Sequence, residues 1–272
     1  MSLRDYFGKK HVVVTGGSSG IGLAFAQRIA REGASLSLVA RRKNVLEEAK
    51  AAIVAQSPAC KVTLVELDIS SEDAVLSEMT KLSAGGPIDM LVNNAGVVMP
   101  GRFLELPTHE FRQMMDINFF GSVYMSKALL PDMVKQGRGH VLNVSSLAGV
   151  MGIYGYTAYA ASKFALVGFS QALRAEMWPH GVKVSVCLPP DTDTPQLALE
   201  NQYKPAETKA IAGTVKTLTA DAVAFAMADG MARSAFEIYP DLGSRMVALG
   251  QGVLPGVARW VCDSAQKKAQ AS

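Results

Sequence analysis

One stretch near the amino terminus decides the fold, 11-HVVVTGGSSGIG-22, in which a run of β-branched residues leads into a glycine-rich turn. An apolar pattern at helical spacing follows from Ile21 to Ile29. Glycines are needed where a tight turn requires positive φ and where the backbone approaches a pyrophosphate, which then rests on the partly positive start of a helix. Because this cluster lies between a strand and a helix, it predicts a dinucleotide site rather than a purely structural turn. The residues predicted to hold the dinucleotide here are Gly16, Ser18, Ser19, Gly20, Ile21 and Gly22.

The same alternation of a short apolar run and a helical pattern repeats along the chain. Continuously apolar runs indicate strands that are buried on both faces, as in a parallel sheet covered by helices. Strands that alternate with helices make right-handed crossovers, so we predict an α/β fold, a doubly wound parallel sheet of the Rossmann type with helices on both faces. Strands are predicted at 11–15, 35–40, 62–66, 88–92, 140–144 and 182–188, and helices at 21–29, 45–55, 72–82, 108–134 and 158–177.

Length and composition bound the domain organisation. The 272 residues are 49% hydrophobic and 19% charged, which excludes a disordered chain, a disulfide-stapled miniprotein and a collagen-like repeat. We predict a single dinucleotide-binding domain over residues 1–272. From Pro189 onward, prolines and polar residues break the alternating pattern. This break predicts an irregular substrate lid over about residues 189–235.

Charge and reactive side chains argue against several kinds of partner. The net charge of +3 comes from interspersed residues, so nucleic acid is not an expected partner. Cys60, Cys187 and Cys262 are far apart and lack CxxC spacing, and the four histidines are dispersed, so we predict buried, reduced thiols and no metal site. The first ten residues lack the layout of a signal peptide, and a cytoplasmic location is expected.

The most apolar stretch late in the chain runs over residues 246–258, between Arg245 and Arg259. It is too short to cross a bilayer core, which requires roughly 20 residues. We expect a buried tail or a subunit contact, with peripheral contact to a membrane surface as the alternative.

The end of the second predicted strand bears on the choice of dinucleotide. An NAD-selective site would have Asp or Glu there to bond the ribose hydroxyls, whereas this strand ends Ala40-Arg41-Arg42. Planar guanidinium groups suit a phosphate, so Arg41 and Arg42 predict NADP(H), unless both are ordinary solvated arginines. After the third strand, Asp68 and Ile69 are predicted to contact the adenine, with a helix-capping role for Asp68 or Ser70 as the alternative.

A tyrosine and a lysine four residues apart share one face of a predicted helix. A nearby ammonium favours the phenolate, so Lys163 is expected to lower the pKa of Tyr159 from about 10 and to make it a proton donor to a carbonyl. Ser146 follows the fifth strand, at the carboxyl edge where α/β proteins bind ligands, and can polarise the same carbonyl oxygen. Its neighbour Ser145 is the alternative for this role.

The combination of motifs is more specific than any one of them. The glycine loop, Asn93-Asn94-Ala95-Gly96, Asn118, Ser146 and Tyr159-x3-Lys163 occur in this order and resemble the short-chain dehydrogenase/reductase family over essentially the whole chain. The resemblance implies that Tyr159 is the general acid/base, that Lys163 lowers its pKa and holds the nicotinamide ribose, and that Ser146 positions the carbonyl oxygen.

Further roles follow from the same resemblance. Asn118 would kink its helix and hold a water in a proton relay to Lys163, while Asn94 and Gly96 would line the cofactor groove. Pro189 and Thr192, in the loop after the sixth strand, are also predicted cofactor contacts. The helices beginning at Thr108 and Ala158 would form a dimer face, so a homodimer or homotetramer is expected.

That loop departs from the Pro-Gly that the family usually has and reads 189-PPDTDTP-195. With Glu200-Asn201 and 204-KPAETK-209, it resembles one branch of the family, the 3-ketodihydrosphingosine reductases. The resemblance implies an NADPH-dependent reduction of a lipid-like ketone, 3-ketodihydrosphingosine, to a secondary alcohol in sphingolipid synthesis. Members of eukaryotic type carry an amino-terminal membrane segment that is missing from this sequence, which argues against anchoring of that kind.

Several alternatives stay open at this point. The substrate could instead be a steroid, a 3-oxoacyl thioester or a xenobiotic ketone. An idle NADP-binding sensor is a different class of function, which the intact Ser, Tyr and Lys set argues against. Apolar stretches at 150–156, 197–199 and 246–257 are candidates for receiving an alkyl chain, and the polar stretch 191–194 for meeting the amino or hydroxyl head of a sphingoid ketone. Core packing and turn capping explain these stretches equally well.

Overall fold

The computed structural model describes residues 1–271, and the predicted parallel sheet is confirmed. The strands of the main sheet are β1 His11–Thr15, β2 Ser35–Ala40, β3 Val62–Glu66, β4 Met90–Asn93, β5 Gly139–Val144 and β6 Val182–Cys187, with short β7 Thr192–Asp193, β8 Leu218–Thr219 and β9 Glu237–Ile238 following. Within the described residues, seven strands pair in parallel in the order β3-β2-β1-β4-β5-β6-β9, and β7 pairs with β8. The order reverses between β1 and β4, and a crevice opens at such a switch point on the carboxyl side of the sheet.

Helices cover both faces of the sheet. Their bounds are α1 Leu3–Phe7, α2 Gly20–Arg31, α3 Lys43–Gln56, α4 Glu72–Ala84, α5 Thr108–Met115, α6 Gly121–Lys135, α7 Thr157–Met177, α8 Pro195–Tyr203, α9 Ala206–Ala212, α10 Ala220–Ala232, α11 Leu242–Val253 and α12 Pro255–Ala271. Val12 and Val14 of β1 pack with α2, α3 and α10 on one face. Val13 packs with α4, α6 and α7 on the other face. Both faces of β1 are therefore buried, which explains why the strand is apolar at successive positions.

The helix predicted over 108–134 is interrupted. The segment Asp116–Phe120 forms a π-helix between α5 and α6. Asn118 is fully buried in this segment and points its side chain into the molecule. The apolar pattern alone did not reveal this break, whereas the family resemblance implied a kink at Asn118, where the π-helix lies.

The last part of the predicted lid segment, helix α10, packs in the protein core. Helix α10 packs against α2, and its Val223 and Met227 are fully buried in the core under the sheet. The irregular segment therefore ends with β8, before α10, rather than near residue 235. Within it, Thr194 caps α8 by accepting a hydrogen bond from the backbone N–H of Leu197 at 3.2 Å.

The apolar stretch late in the chain is not buried. It forms α11 and the start of α12, where Met246 is 60% exposed and Trp260 is 68% exposed. Leu249, Val253 and Val257 are exposed as well. The prediction of a buried tail is wrong for this chain, because α11 and α12 contact α9, the 147–149 turn and each other and leave these apolar side chains exposed. A subunit contact and a membrane surface remain as hypotheses.

None of the helices among the described residues combines the length and the apolar character that crossing a membrane requires. Within residues 1–271, no three His, Cys, Asp or Glu side chains are grouped so as to hold a metal ion. Cys187 is buried, whereas Cys60 and Cys262 are partly exposed, and all three thiols are free. The expectation of buried thiols therefore holds for Cys187 alone.

Candidate active site

A cleft of about 230 Å³ opens at the carboxyl edge of the sheet, above β1, β4 and β5. One end, here called the cofactor end, is lined by the loop between β1 and α2 and by the residues after β4. The other end, the substrate end, is lined by α7, the loop after β6, α8 and the residues after α9. The sequence-predicted residues that line the cleft are Gly16, Ser19, Gly20, Ile21, Asn94, Gly96, Ser146, Tyr159, Lys163, Pro189 and Thr192.

The glycines of the loop have separate structural reasons. Gly16 and Gly20 have φ of +64° and +55°, the left-handed region that side chains with a Cβ rarely adopt. Gly22 lies against Gly16, and a Cβ on Gly22 would come within 2.4 Å of the Gly16 carbonyl oxygen and of Asn94 Nδ2. Only glycine therefore allows the first turn of α2 to pack this closely on the loop.

The start of α2 presents backbone donors to the cleft. Ser19 is the N-cap residue, and its side chain makes no capping hydrogen bond to the helix. The first amides of the helix are thus left for a ligand, and together with the helix dipole they favour an anion. Ile21 lines this part of the cleft, whereas Ser18 and Gly22 lie behind it, with Ser18 only 7% exposed. The arrangement fits a pyrophosphate.

The residues after β4 are held to the glycine loop by hydrogen bonds. Thr15 Oγ1 accepts from the backbone N–H groups of Asn94 and Ala95, both at 3.0 Å. Asn94 Nδ2 donates to the Thr15 carbonyl at 3.0 Å. The side chain of Asn94 therefore fixes the width of the cofactor groove. Gly96 borders the same groove, where a Cβ would lie 3.5 Å from Lys163 Nζ.

The residues predicted to select the dinucleotide lie near the cofactor end but outside the cleft lining. Arg41 and Arg42 directly follow β2 and are exposed, and Arg42 is the N-cap residue of α3. Asp68 Oδ1 accepts hydrogen bonds from Ser70 N and Ser70 Oγ, at 3.0 and 2.7 Å. Burial works to raise the pKa of Asp68, but these hydrogen bonds and the charge of Arg41 outweigh it and lower the pKa.

The capping alternative for this region is wrong in detail. The cap of α4 is Ser71, which accepts from the backbone N–H of Ala74, rather than Asp68 or Ser70. Asp68 instead closes a local turn on Ser70, and its Oδ2 has no hydrogen-bond donor within the described part of the chain. Ile69 is buried against Gly121 at the start of α6, so its side chain packs in the core.

At the substrate end, the structure distinguishes between the two serines. Ser146 and Tyr159 are hydrogen-bonded through their hydroxyls, and Ser146 Oγ also accepts from the backbone N–H of Ala148 at 3.1 Å. Ser145 is buried and its hydroxyl donates to the Lys163 carbonyl at 3.0 Å. Both serines line the cleft, but Ser146 interacts with Tyr159, while the Ser145 hydroxyl anchors α7 to the end of β5.

Lys163 lies one turn beyond Tyr159 and is buried. Its Nζ donates to the Val144 carbonyl at 2.9 Å and lies 5.7 Å from the centre of the Tyr159 ring. Burial lowers the pKa of Lys163 to about 8, because desolvation penalises the ammonium form. The helical spacing thus brings the two side chains together as predicted.

The expected lowering of the Tyr159 pKa is not what the chain's own groups produce. Burial raises this pKa, the charge of Glu200 raises it further, the hydrogen bond with Ser146 lowers it, and Asp191 adds a smaller increase. The net direction is upward, so Tyr159 is held as a neutral phenol. A neutral phenol is the form that can donate a proton.

Asn118 is hydrogen-bonded to two segments near Lys163, the turn after β4 and helix α7. Its Oδ1 accepts from the Val97 N–H at 2.8 Å, and its Nδ2 donates to the Val97 carbonyl and to Ser162 Oγ at 2.9 and 3.0 Å. The side chain therefore joins the π-helix to the turn after β4 and to α7. In this arrangement its polar atoms are occupied by protein partners, and the water relay stays a prediction.

The loop after β6 closes the cleft from above. Pro189 lines the cleft and its carbonyl accepts from Leu147 N–H at 3.0 Å, which joins the loop to the turn that carries Ser146. Thr192 is buried and donates through Oγ1 to the Pro190 carbonyl at 2.9 Å. Asp191 and Thr194 also line the cleft, so the stretch 191–194 both faces the cleft and supplies the cap of α8.

The stretch 191–194 was a sequence candidate for the substrate's polar head, but its meeting with a polar cluster at the substrate end was not predicted. Tyr156 donates a hydrogen bond to Glu200 Oε1, and Lys204 forms ion pairs with Glu200 and Asp191. Two signals were present in the sequence. Glu200 and Lys204 stand four apart, as ion pairs on a helix do, and Tyr156 stands three residues before Tyr159. Nothing in the sequence showed that the two segments meet.

Comparisons with known proteins place these motifs in a family. Residues 10–204 match the model of the short chain dehydrogenase family. Over 218 residues the chain is 44% identical to a 3-ketodihydrosphingosine reductase of Bos taurus, an alignment that covers 79% of this chain and 66% of the bovine protein. The chain thus spans about two thirds of the length of such curated relatives.

Solved structures agree with the fold. The structure of levodione reductase superposes with a TM-score of 0.81 at 29% identity, covering 89% of this chain and 99% of that one. A short-chain dehydrogenase from Sphingobium yanoikuyae, solved in complex with NADPH, superposes with a TM-score of 0.78 at 27% identity, covering 91% and 94%. In both cases the superposition covers about nine tenths of this chain.

Proposed function

Since the chain belongs to the short-chain dehydrogenase family, we propose that it is an NADPH-dependent reductase that converts a ketone to a secondary alcohol, with 3-ketodihydrosphingosine as its substrate. One observation carries the proposal. Ser146, Tyr159 and Lys163 meet in a single cleft whose other end is a glycine loop and a helix start suited to a pyrophosphate. A ligand that spans both ends brings its reactive part beside the Tyr159 hydroxyl.

The chain's own groups supply the acid half of the reaction. When bound, NADPH supplies the hydride that adds to the carbonyl carbon of the ketone. Tyr159 donates its proton to the carbonyl oxygen, which gains negative charge as the carbon is reduced, and the products are a secondary alcohol and NADP⁺. Ser146 donates a hydrogen bond to the same oxygen and holds it near Tyr159.

Lys163 supports Tyr159 after the proton has been donated. Its buried ammonium lies near the Tyr159 ring and stabilises the phenolate that remains after proton donation. A proton from solvent then returns Tyr159 to its neutral form. Asn118 keeps Lys163 in place through the turn after β4 and α7, and serves as a positioning residue.

The choice of NADPH rests on the two arginines that follow β2. Arg41 and Arg42 are exposed beside the cofactor end, and no carboxylate stands at Ala40 to bond the ribose hydroxyls. A 2′-phosphate at this place would meet two guanidinium groups instead of a like charge. The relative from Sphingobium yanoikuyae, which was solved with NADPH, supports this choice.

The choice of a long-chain substrate rests on the lining of the substrate end and on the bovine relative's name. Met151, Ile153, Leu197, Ile211 and Val215 give this end an apolar wall beside Tyr159. Burying an alkyl chain against such a wall contributes about 0.8 kcal/mol per methylene. Residues 246–257 lie outside the lining, so the apolar wall comes from α8, the end of α9 and the turn after β5.

The experiment that tests the function follows NADPH absorbance with a panel of ketones. We expect consumption with 3-ketodihydrosphingosine, and much slower consumption with a steroid ketone, a 3-oxoacyl thioester and a small cyclic ketone. Consumption confined to steroids or thioesters would contradict the proposed substrate but keep the reaction class. Tight NADPH binding without turnover of any ketone would favour the sensor alternative.

A further inference from the structure

Two carboxylates line the substrate end, Asp191 and Glu200, here called the carboxylate pair. Glu200 lies on α8 and is 8% exposed, and its Oε1 accepts a hydrogen bond from the Tyr156 hydroxyl. The Tyr156 ring in turn packs edge to face on the Tyr159 ring, with 5.5 Å between ring centres. The carboxylate pair is therefore one aromatic ring away from the proposed proton donor.

The carboxylate pair shares one cation. Lys204 Nζ lies 2.6 Å from Asp191 Oδ2 and 3.0 Å from Glu200 Oε1. Each carboxylate uses one oxygen in these contacts, and within residues 1–271 nothing donates a hydrogen bond to Glu200 Oε2 or Asp191 Oδ1. The other buried ammonium of the cleft, Lys163, is bonded to the Val144 carbonyl. The pair thus has an excess of one negative charge and two open acceptor oxygens.

Such an excess matters once a substrate fills the cleft. A long-chain ketone displaces the water that hydrates the open oxygens, and a buried carboxylate without a compensating partner is costly. Burial raises the pKa of Glu200, and the hydrogen bond from Tyr156 and the ion pair with Lys204 do not fully offset that rise. A ligand with cationic N–H donors removes this cost, whereas a neutral ligand does not. A primary ammonium carries three N–H donors and no acceptor, so it can donate one hydrogen bond to each of the two open oxygens.

We propose that Asp191 and Glu200 form the subsite for a primary ammonium group carried on the carbon next to the substrate's ketone, and that this subsite selects amino ketones over neutral ketones. The inference rests on the proposed ketone reduction and specifies its substrate class. Lys204 has a positioning role in it, because it holds the two carboxylates at one place without neutralising both.

A bound ammonium would also assist the chemistry. Burial raises the pKa of Tyr159, and the charges of Glu200 and Asp191 raise it further, so these carboxylates oppose the phenolate that proton donation leaves behind. An ammonium between the carboxylate pair and the Tyr159 hydroxyl offsets that repulsion. An amino ketone should therefore gain in kcat as well as in KM, which a merely structural cluster would not produce.

The test compares two substrates of equal chain length, 3-ketodihydrosphingosine and the ketone that carries hydrogen in place of its amino group. The wild-type protein should prefer the amino ketone by about 10–100-fold in kcat/KM, as expected for charged hydrogen bonds in a buried site. In Glu200→Gln the side chain keeps its size and its acceptor for Tyr156 but loses its charge. Its preference should fall to within about threefold of unity.

A matched control comes from the neighbouring helix. Glu207 lies on α9, is likewise buried at 4% exposure, and pairs with Arg102 outside the cleft. Glu207→Gln removes the same charge from the same irregular segment and should keep the wild-type preference. Because preference is a ratio measured on one preparation, a loss of folded protein cancels from it. Asp191→Asn provides a second probe and should reduce the preference in the same direction.

The outcomes separate the two proposals. A wild-type protein that reduces both ketones equally well, or a Glu200→Gln variant that slows both equally, would overturn the ammonium subsite and leave ketone reduction intact. A wild-type protein that oxidises NADPH with neither ketone would overturn the proposed function itself. Binding of a long-chain primary amine, measured by calorimetry beside the matched alcohol, should then still depend on Glu200 if the subsite exists, and equal binding of amine and alcohol would overturn it.

Discussion

At its cofactor end the cleft presents backbone, while at its substrate end it presents side chains. Gly16, Gly20 and the first amides of α2 form a surface that a dinucleotide can approach closely because no Cβ stands in the way. At the other end, the cleft presents the Tyr159 hydroxyl and the Glu200 carboxylate. We therefore expect mutations at the cofactor end to weaken dinucleotide binding, and mutations at the substrate end to slow the reaction.

The two ends also differ in how they are assembled along the chain. The cofactor end comes mainly from residues 15–22 and 94–96, each a continuous segment that follows a strand. The substrate end joins the turn after β5, the start of α7 and α8, so that Tyr156 and Glu200 are 44 positions apart in sequence. A local motif can be recognised from its residues, whereas a distant contact depends on the fold.

The largest expected effect separates chemistry from binding. Tyr159→Phe removes the hydroxyl and keeps the ring that packs on Tyr156, so we expect kcat to fall by about 10³-fold. NADPH affinity, measured by fluorescence titration, should stay within about threefold of wild type, because the hydroxyl lies at the substrate end. Full reductase activity in this variant would contradict the assignment of the proton donor.

The second-largest expected effect is on NADPH binding rather than on turnover. Gly22→Ala places a Cβ within 2.4 Å of the Gly16 carbonyl oxygen, and the loop must shift to accommodate it. We expect NADPH affinity to fall by about 10–100-fold, in line with the cost of overpacking. Gly250→Ala is the matched control, because a Cβ on this helical glycine meets nothing within 4 Å. Equal NADPH affinity of the two variants would show that the close packing of α2 on the loop is not required.

The smallest of the three effects concerns the two arginine side chains that lie near the cofactor end. Replacing both Arg41 and Arg42 by Ala should weaken NADPH binding by about tenfold, since both guanidinium groups are exposed and water screens their charge. NADH binding serves as the control within the same variant and should change little, because NADH lacks the 2′-phosphate. An equal loss of affinity for both dinucleotides would reject the phosphate contact.

Hydrophobic periodicity predicted the bounds of several strands well but predicted two later features of the fold poorly. The strands at 11–15, 35–40 and 62–66 have the bounds that their apolar runs predict. The runs of β1 and β2 reflect burial on both faces, whereas the edge strand β3 exposes Thr63 and Glu66. The apolar pattern predicted one continuous helix over 108–134, and only the family resemblance pointed to the break at Asn118. The tail was expected to be buried, but hydrophobicity does not tell whether a partner surface is present within the same chain.

Some features of the candidate site were likewise predicted from the sequence, whereas others needed the structure. Tyr159 and Lys163 were found from helical spacing, and Ser146 from its place after β5, but the choice of Ser146 over Ser145 needed the structure, which directs only the former toward Tyr159. The direction of the Tyr159 pKa was predicted wrongly. The sequence displayed the nearby lysine on the same helix face, whereas Glu200 and Asp191 approach from another part of the chain.

The sequence by itself determined the strands, the glycine loop and the order of the motifs, because each of these is encoded in a local run of residues. The tertiary structure alone decided that Tyr156, Glu200, Asp191 and Lys204 meet beside Tyr159. The physical reason is that α8 reaches the cleft through the loop after β6, and the path of such a loop follows from packing of the whole lid rather than from local preference. The charge that acts on the proposed proton donor is thus set by distant residues, while the backbone that receives the dinucleotide is set by neighbouring ones.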